Sequence, residues 1–277
     1  MTLETTVRIR GATGGVAVFA LVAGSLSLLF LEGRLQAGTW GTLVFGPGSL
    51  AARLYVLGSA ALLAGVAASL LAGDYVGGTG LLAGAGGLLA VLNLIPVSFA
   101  EIPFDGLPLE RILCLEVLAG LALLLACYTA AWVTALVWVL PRRPGPPPAR
   151  KAFSLREILT VAVPCFLLVG LTSVSLAAIF TEPAGIGLPA GPAWFAATFG
   201  AALLVGKLFG PRSTFFVWTA PNLALVAILA AVASFAPEHV ESAFAPLEGF
   251  SIGAIAPLGA MGSVLGYLSV RRSRPPL

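Results

Sequence analysis

Residues 111–140 read RILCLEVLAGLALLLACYTAAWVTALVWVL, an apolar run whose only charged side chains are Arg111 and Glu116. A helix needs about 20 apolar residues to cross a bilayer. This run is longer than that, so it tilts strongly or projects from the membrane. Working outward, apolar runs of spanning length recur at 14–32, 52–73, 78–99, 157–180, 191–209, 214–235 and 250–270, giving about eight spans in all. The third is glycine-rich and the weakest. The fold class expected is all-α, a polytopic membrane helix bundle.

Composition agrees. Hydrophobic residues make up 58% of the chain and charged residues 10%, with a mean hydropathy of +1.01. A soluble domain carries roughly 25% charged residues, so this chain has too few to cover a water-facing surface. Membrane lipid is its expected surrounding. The net charge is only +3, and the basic residues form no stripe on one face, which argues against a nucleic-acid partner. Cys114, Cys127 and Cys165 all sit in apolar stretches, with no CxxC and no Cys/His pair. They read as buried thiols acting as small hydrophobes. The single histidine, His239, offers no metal pair, and no metal ion or cofactor is expected. Arg8 and Arg10 precede an apolar run, as in a signal peptide, but no small-residue cleavage site with a polar mature start follows. The run is read as the first retained span.

Lysine and arginine placement sets orientation, because these residues stay on the cytoplasmic side. With eight spans and both termini cytoplasmic in the cell (inner) membrane, the inner segments hold Arg8, Arg10, Arg142, Arg143, Arg150, Lys151, Arg156, Lys207, Arg212, Arg271, Arg272 and Arg274. The outer segments hold Arg34, Arg53 and Arg111. Pro141–Ser154 (PRRPGPPPARKAFS) is proline-rich and basic, the composition of a semi-rigid spacer. The chain thus divides into a first four-helix half (1–140), a linker (141–155) and a second four-helix half (156–277).

The halves echo one another in order. Val16-Ala17-Val18 with Gly24 matches Val161-Ala162-Val163 with Gly170, and Gly46-Pro47 matches Gly191-Pro192. Glu32 matches Glu182, and Ser98-Phe99-Ala100 with Pro108-Leu109-Glu110 matches Ser234-Phe235-Ala236 with Pro246-Leu247-Glu248. Each half has an even number of spans, so a duplication gives two tandem halves in parallel orientation, related by a pseudo-twofold axis along the membrane normal.

The polar residues that stand out are few. SFAEIPFDGLPLERILCLE places Glu101, Asp105, Glu110 and Arg111 close together among fixed prolines, and Glu116 nearly two turns into the fourth span. A carboxylate at that depth must face protein or water. Glu116 is therefore a candidate ion or solute site, or the partner of a neighbouring helix. Asn93 with Pro96, and Asn222 after Pro221, break the third and seventh spans. Such breaks free backbone carbonyls for ions or water, while an asparagine there also bridges helices. Glu32 and Glu182 complete the candidate set on an acidic outer face, although acids in loops are commonly just solvated. Gly73/Gly77, Gly80/Gly84, Gly206/Gly210 and Gly262/Gly266 suit close helix packing, within the chain or against protein subunits.

The stretch Ala100-Glu101, Pro103-Phe104-Asp105 and Pro108-Leu109-Glu110 is similar to the acidic loop of the respiratory complex I subunit that lines the quinone tunnel. The resemblance is confined to these residues of a 277-residue chain. In that family the loop follows more spans and faces the cytoplasm, and a glycine-proline-asparagine signature follows the first span. Here the loop is expected outside, and that signature is missing.

These features suit a transporter- or channel-like protein with a small-solute or cation site between its halves. The alternatives are a membrane anchor or subunit of a larger assembly, of which a quinone-reactive respiratory complex is one kind, and an intramembrane lipid-processing enzyme. No Ser/His constellation, metal-ligand pair or acid pair at helical spacing supports the enzyme.

Overall fold

The computed structural model describes residues 3–30, 42–45, 49–73, 76–92, 108–139, 163–181, 188–209, 214–235 and 251–272. Among them every regular element is helical: α1 (Leu3–Phe30), α2 (Leu50–Ala72), α3 (Val76–Val91), α4 (Leu109–Thr134), α5 (Val163–Thr181), α6 (Ala190–Phe209), α7 (Thr214–Phe235) and α8 (Ile255–Arg272). The last turn of α4 widens into a π-helical turn over Ala135–Val139, and α8 is entered through a 3-10 turn over Ile252–Ala254. Seven stretches are long and apolar enough to cross a membrane. Their outward faces carry Leu21, Leu63, Leu70, Leu118, Leu125 and Leu171, an apolar surface that suits lipid.

The eighth, α3, differs from the expected span over 78–99. It holds 16 residues, a rise of about 24 Å against a hydrocarbon core of about 30 Å. Most of its described side chains are buried against other helices, with Ala90 exposed. Asn93 and Pro96 lie outside the described residues. The first helix includes the Arg-bearing segment ahead of the span expected at 14–32, running over Leu3–Phe30.

Local chemistry sets the helix ends. Ser49 caps α2, its Oγ accepting the backbone N–H of Ala52 at 3.2 Å. Gly73 ends α2 with a φ of 56°, a conformation that favours glycine. Pro108, with φ fixed at −67°, leads into α4.

Small residues then let the backbones approach. A Cβ on Gly11 would lie 2.7 Å from the Ala72 Cβ, joining α1 to α2, and one on Gly80 would lie 2.7 Å from the Ala131 Cβ, joining α3 to α4. Gly65 faces the Cys127 carbonyl on α4, and Gly266 faces the Phe199 carbonyl on α6. Of the glycine pairs singled out in the sequence, Gly80/Gly84 and Gly262/Gly266 lie at such contacts. Gly73 does not: nothing lies within 4 Å of a Cβ there, and its role is to terminate a helix.

The packing order is regular. In the first half α1 packs on α2 and α3, and α4 packs on α2 and α3; in the second, α5 packs on α6 and α7, and α8 packs on α6 and α7. The first half has one further contact, α2 with α3. Between the halves, α3 meets α8, α4 meets α7, and α4 meets α8. One continuous core runs across this seam, from Phe19 and Leu57 through Leu113 and Leu124 to Trp218 and Val264.

Candidate functional site

Glu116 is a fully buried carboxylate on α4, the helix that meets α7 and α8 of the second half. It lies two turns from Pro108, with no exposed surface. Its carboxylate is held by three successive backbone N–H groups from the segment between α1 and α2. Leu43 donates to Oε2 at 2.6 Å, and Val44 and Phe45 donate to Oε1 at 2.7 and 3.3 Å. A carboxylate has about four lone-pair sites, so these bonds satisfy most of it. The partner is loop backbone, where the sequence suggested a neighbouring helix.

Arg53 is the second charge. Placed in the first turn of α2 by the Ser49 cap, it is only 4% exposed. Its Nε and Nη1 are buried and have no hydrogen-bond partner. Arg53 and Glu116 attract each other electrostatically. Arg53, expected among the outer-segment cations, is instead a buried group. A signal was present: an arginine three residues into a spanning run that opens at Leu50, four positions after the Ser49 helix cap.

A chain of direct contacts links this pair to the second half. One turn beyond Glu116, a Cβ on Gly120 would lie 2.6 Å from the Ala256 Cβ and 3.5 Å from Leu43 Cδ1. The Ala256 carbonyl accepts the Asn222 Nδ2 at 3.3 Å, and the Trp218 carbonyl accepts it at 3.4 Å. Asn222 thus bridges α7 to α8, and α7 runs through Pro221 without a break. Asn222 is fully buried, yet its Oδ1 has no partner. Gly259 leaves room beside it, since a Cβ there would lie 2.8 Å from both Asn222 Oδ1 and Trp194 Nε1. Trp194 Nε1 donates to the Ile255 carbonyl at 3.0 Å, tying α6 to the start of α8.

Glu116 and Asn222, from opposite halves, are thus linked indirectly, through Gly120 and Ala256, and Arg53 interacts electrostatically with Glu116. Glu110 and Arg111 stay at the start of α4, half-buried and exposed respectively. Glu32, Asn93, Glu101, Asp105 and Glu182 lie outside the described residues. Among the described residues, no group of three or more His, Cys, Asp or Glu side chains could hold a metal ion. The polar atoms left without partners here include the Arg53 Nε and Nη1 donors and one acceptor, Asn222 Oδ1, a set that suits a polar or anionic solute. No protein family, curated protein or solved structure matches the chain.

Proposed function

We propose that the chain is a transporter- or channel-like membrane protein whose small-solute site lies between two four-helix halves, at Arg53, Glu116 and Asn222. The observation that carries this reading is Arg53, a buried guanidinium with open donors inside an apolar bundle. A scaffold gains nothing from such a group. Apolar replacement of buried ionic groups is often neutral or stabilising by about 1–4 kcal/mol, and charges inside membrane bundles mark pathways for polar solutes.

Two tandem, like-oriented halves fit this reading, with about eight helices crossing or embedded and both termini on the cytoplasmic side of the cell membrane. The contacts between halves support the duplication. Exchanging α3 with α7 and α4 with α8 turns the α3–α8 contact into the α7–α4 contact and leaves the α4–α8 contact in place. Helices related by a twofold axis meet at equivalent positions. Gly120 and Ala256, 136 positions apart, meet near the positions that the echo pairs, which are offset by 136 at Ser98–Ser234 and by 138 at Pro108–Pro246.

The test is flux through proteoliposomes for a panel of small inorganic and organic ions, with wild type, Glu116→Gln and Arg53→Lys. The reading expects at least one ion to be carried by the wild type and slowed in both variants, each shown to be monodisperse. Equal flux in all three, or none in the wild type, would overturn it.

A further inference from the structure

Among the described residues the buried charged side chains are Arg8, Arg53 and Glu116. Around Glu116 the charge inventory is short. The 42–45 segment and the apolar lengths of α3 and α7 contribute no charged group, and α8 carries only Arg271 and Arg272 at its far end. On α4 itself, Glu110 and Arg111 stand at the helix start, and the titratable Cys114 packs towards Val226 of α7. Among the described residues, Arg53 on α2 is the one cation that faces the carboxylate.

The two charges are provided for unequally. Glu116 has three backbone donors. Arg53 leaves Nε and Nη1 open, which is three of the five N–H donors of a guanidinium. It also sits in the first turn of α2, where the helix dipole adds positive potential and favours an anion. The complement of this spot is an oxygen acceptor bearing negative charge.

Charge balance then constrains how such a group enters. With Glu116 ionised, guanidinium and carboxylate cancel. A bound anion would leave one uncompensated negative charge in the bundle, which is costly to bury. Adding one proton to a Glu116 oxygen, taken from solvent, restores neutrality.

We propose that Arg53 binds an oxyanion, a carboxylate or phosphate group, and that Glu116 takes up one proton as the anion binds. This rests on the transport reading for its purpose but not for its chemistry. If it holds, the cargo is an anion moved together with a proton.

The test is calorimetric titration of the purified full-length protein in detergent with inorganic phosphate and with acetate. Repeating it in buffers of different ionisation enthalpy gives the protons taken up per anion. Wild type is expected to bind at least one of the two with uptake approaching one proton. Arg53→Gln is expected to weaken binding by about tenfold or more, as for loss of a charge-assisted hydrogen bond. Arg53→Lys should bind more weakly than wild type and keep the proton uptake, which guards against a folding defect. Glu116→Gln should bind without proton uptake. If an anionic lipid headgroup is the occupant, the soluble anions compete poorly, and native mass spectrometry finds anionic lipid retained by wild type and lost from Arg53→Gln. The proposal is overturned if neither anion nor lipid distinguishes wild type from Arg53→Gln, or if binding proceeds without proton uptake. Binding with proton uptake but no flux in vesicles would instead remove the transport reading and leave the site.

Discussion

Leu43 and Glu116, separated by 73 positions in the chain, are joined by a 2.6 Å hydrogen bond from backbone N–H to Oε2. With its neighbours Val44 and Phe45, Leu43 fixes a short non-helical segment to α4 about two turns from that helix's start. Irregular backbone at membrane depth is tolerated only where protein or a polar cavity satisfies it. Here one carboxylate does so for three consecutive amides.

Replacing Glu116 should therefore destabilise the fold as well as alter the site. In Glu116→Ala three buried amides lose their acceptor and Arg53 loses its counter-charge, a change expected to cost about 3–5 kcal/mol as for breaking a buried ion pair. Unfolding followed by helical circular dichroism in a denaturing detergent titration measures it. A cost under about 1 kcal/mol, the range of an ordinary surface substitution, would mean that these bonds do not form.

Asn222 is expected to behave oppositely. Its two donor contacts are long, and its Oδ1 is buried without a partner. An unsatisfied buried acceptor costs about 1–3 kcal/mol. Asn222→Leu should leave thermal stability unchanged or raised, while flux of the carried ion falls. A variant both less stable and fully active would remove Asn222 from the site and make it a packing device.

The glycine contacts give a position-specific prediction. Gly65→Ala and Gly266→Ala push a methyl group into the Cys127 and Phe199 carbonyls, and each should lose about 1–3 kcal/mol, the range for overpacking. Gly24→Ala and Gly58→Ala meet nothing within 4 Å and should be neutral or slightly stabilising, since alanine is the better helix former. The four variants compared in one thermal-shift series check it. Equal behaviour in all four would contradict the packing.

The α6–α8 register is open to a covalent test. A Cβ on Gly206 would lie 3.6 Å from the Val270 Cβ, within the usual range for a disulfide. In a background with Cys114, Cys127 and Cys165 replaced by Ala, Gly206→Cys with Val270→Cys should cross-link on mild oxidation. Gly206→Cys paired with Leu268→Cys, two positions away, is the control and should cross-link poorly.

Much of this fold was legible from composition and apolar run length, because lipid imposes a simple rule on both. Glu116 stood out for the same reason, as a carboxylate inside a 30-residue apolar helix. What it binds was not legible. Backbone amides carry no residue signature, and the 42–45 segment reads as an ordinary connection. The burial of Arg53 is not legible because a position near a span's end looks interfacial in sequence, and only tertiary packing shows that it is buried and interacts with Glu116 of α4. The third run is described as a helix over Val76–Val91, and hydropathy alone does not separate a buried core helix from a crossing one, since either is apolar all round.

The most direct measurement for the central claim is a double-mutant cycle on Arg53→Ala and Glu116→Ala, read by unfolding in detergent. If the two side chains compensate each other in the buried seam, removing both costs little more than removing one, with an interaction energy of about 1–3 kcal/mol. Additive costs, agreeing within about 0.5 kcal/mol, would show that the two charges do not share a site.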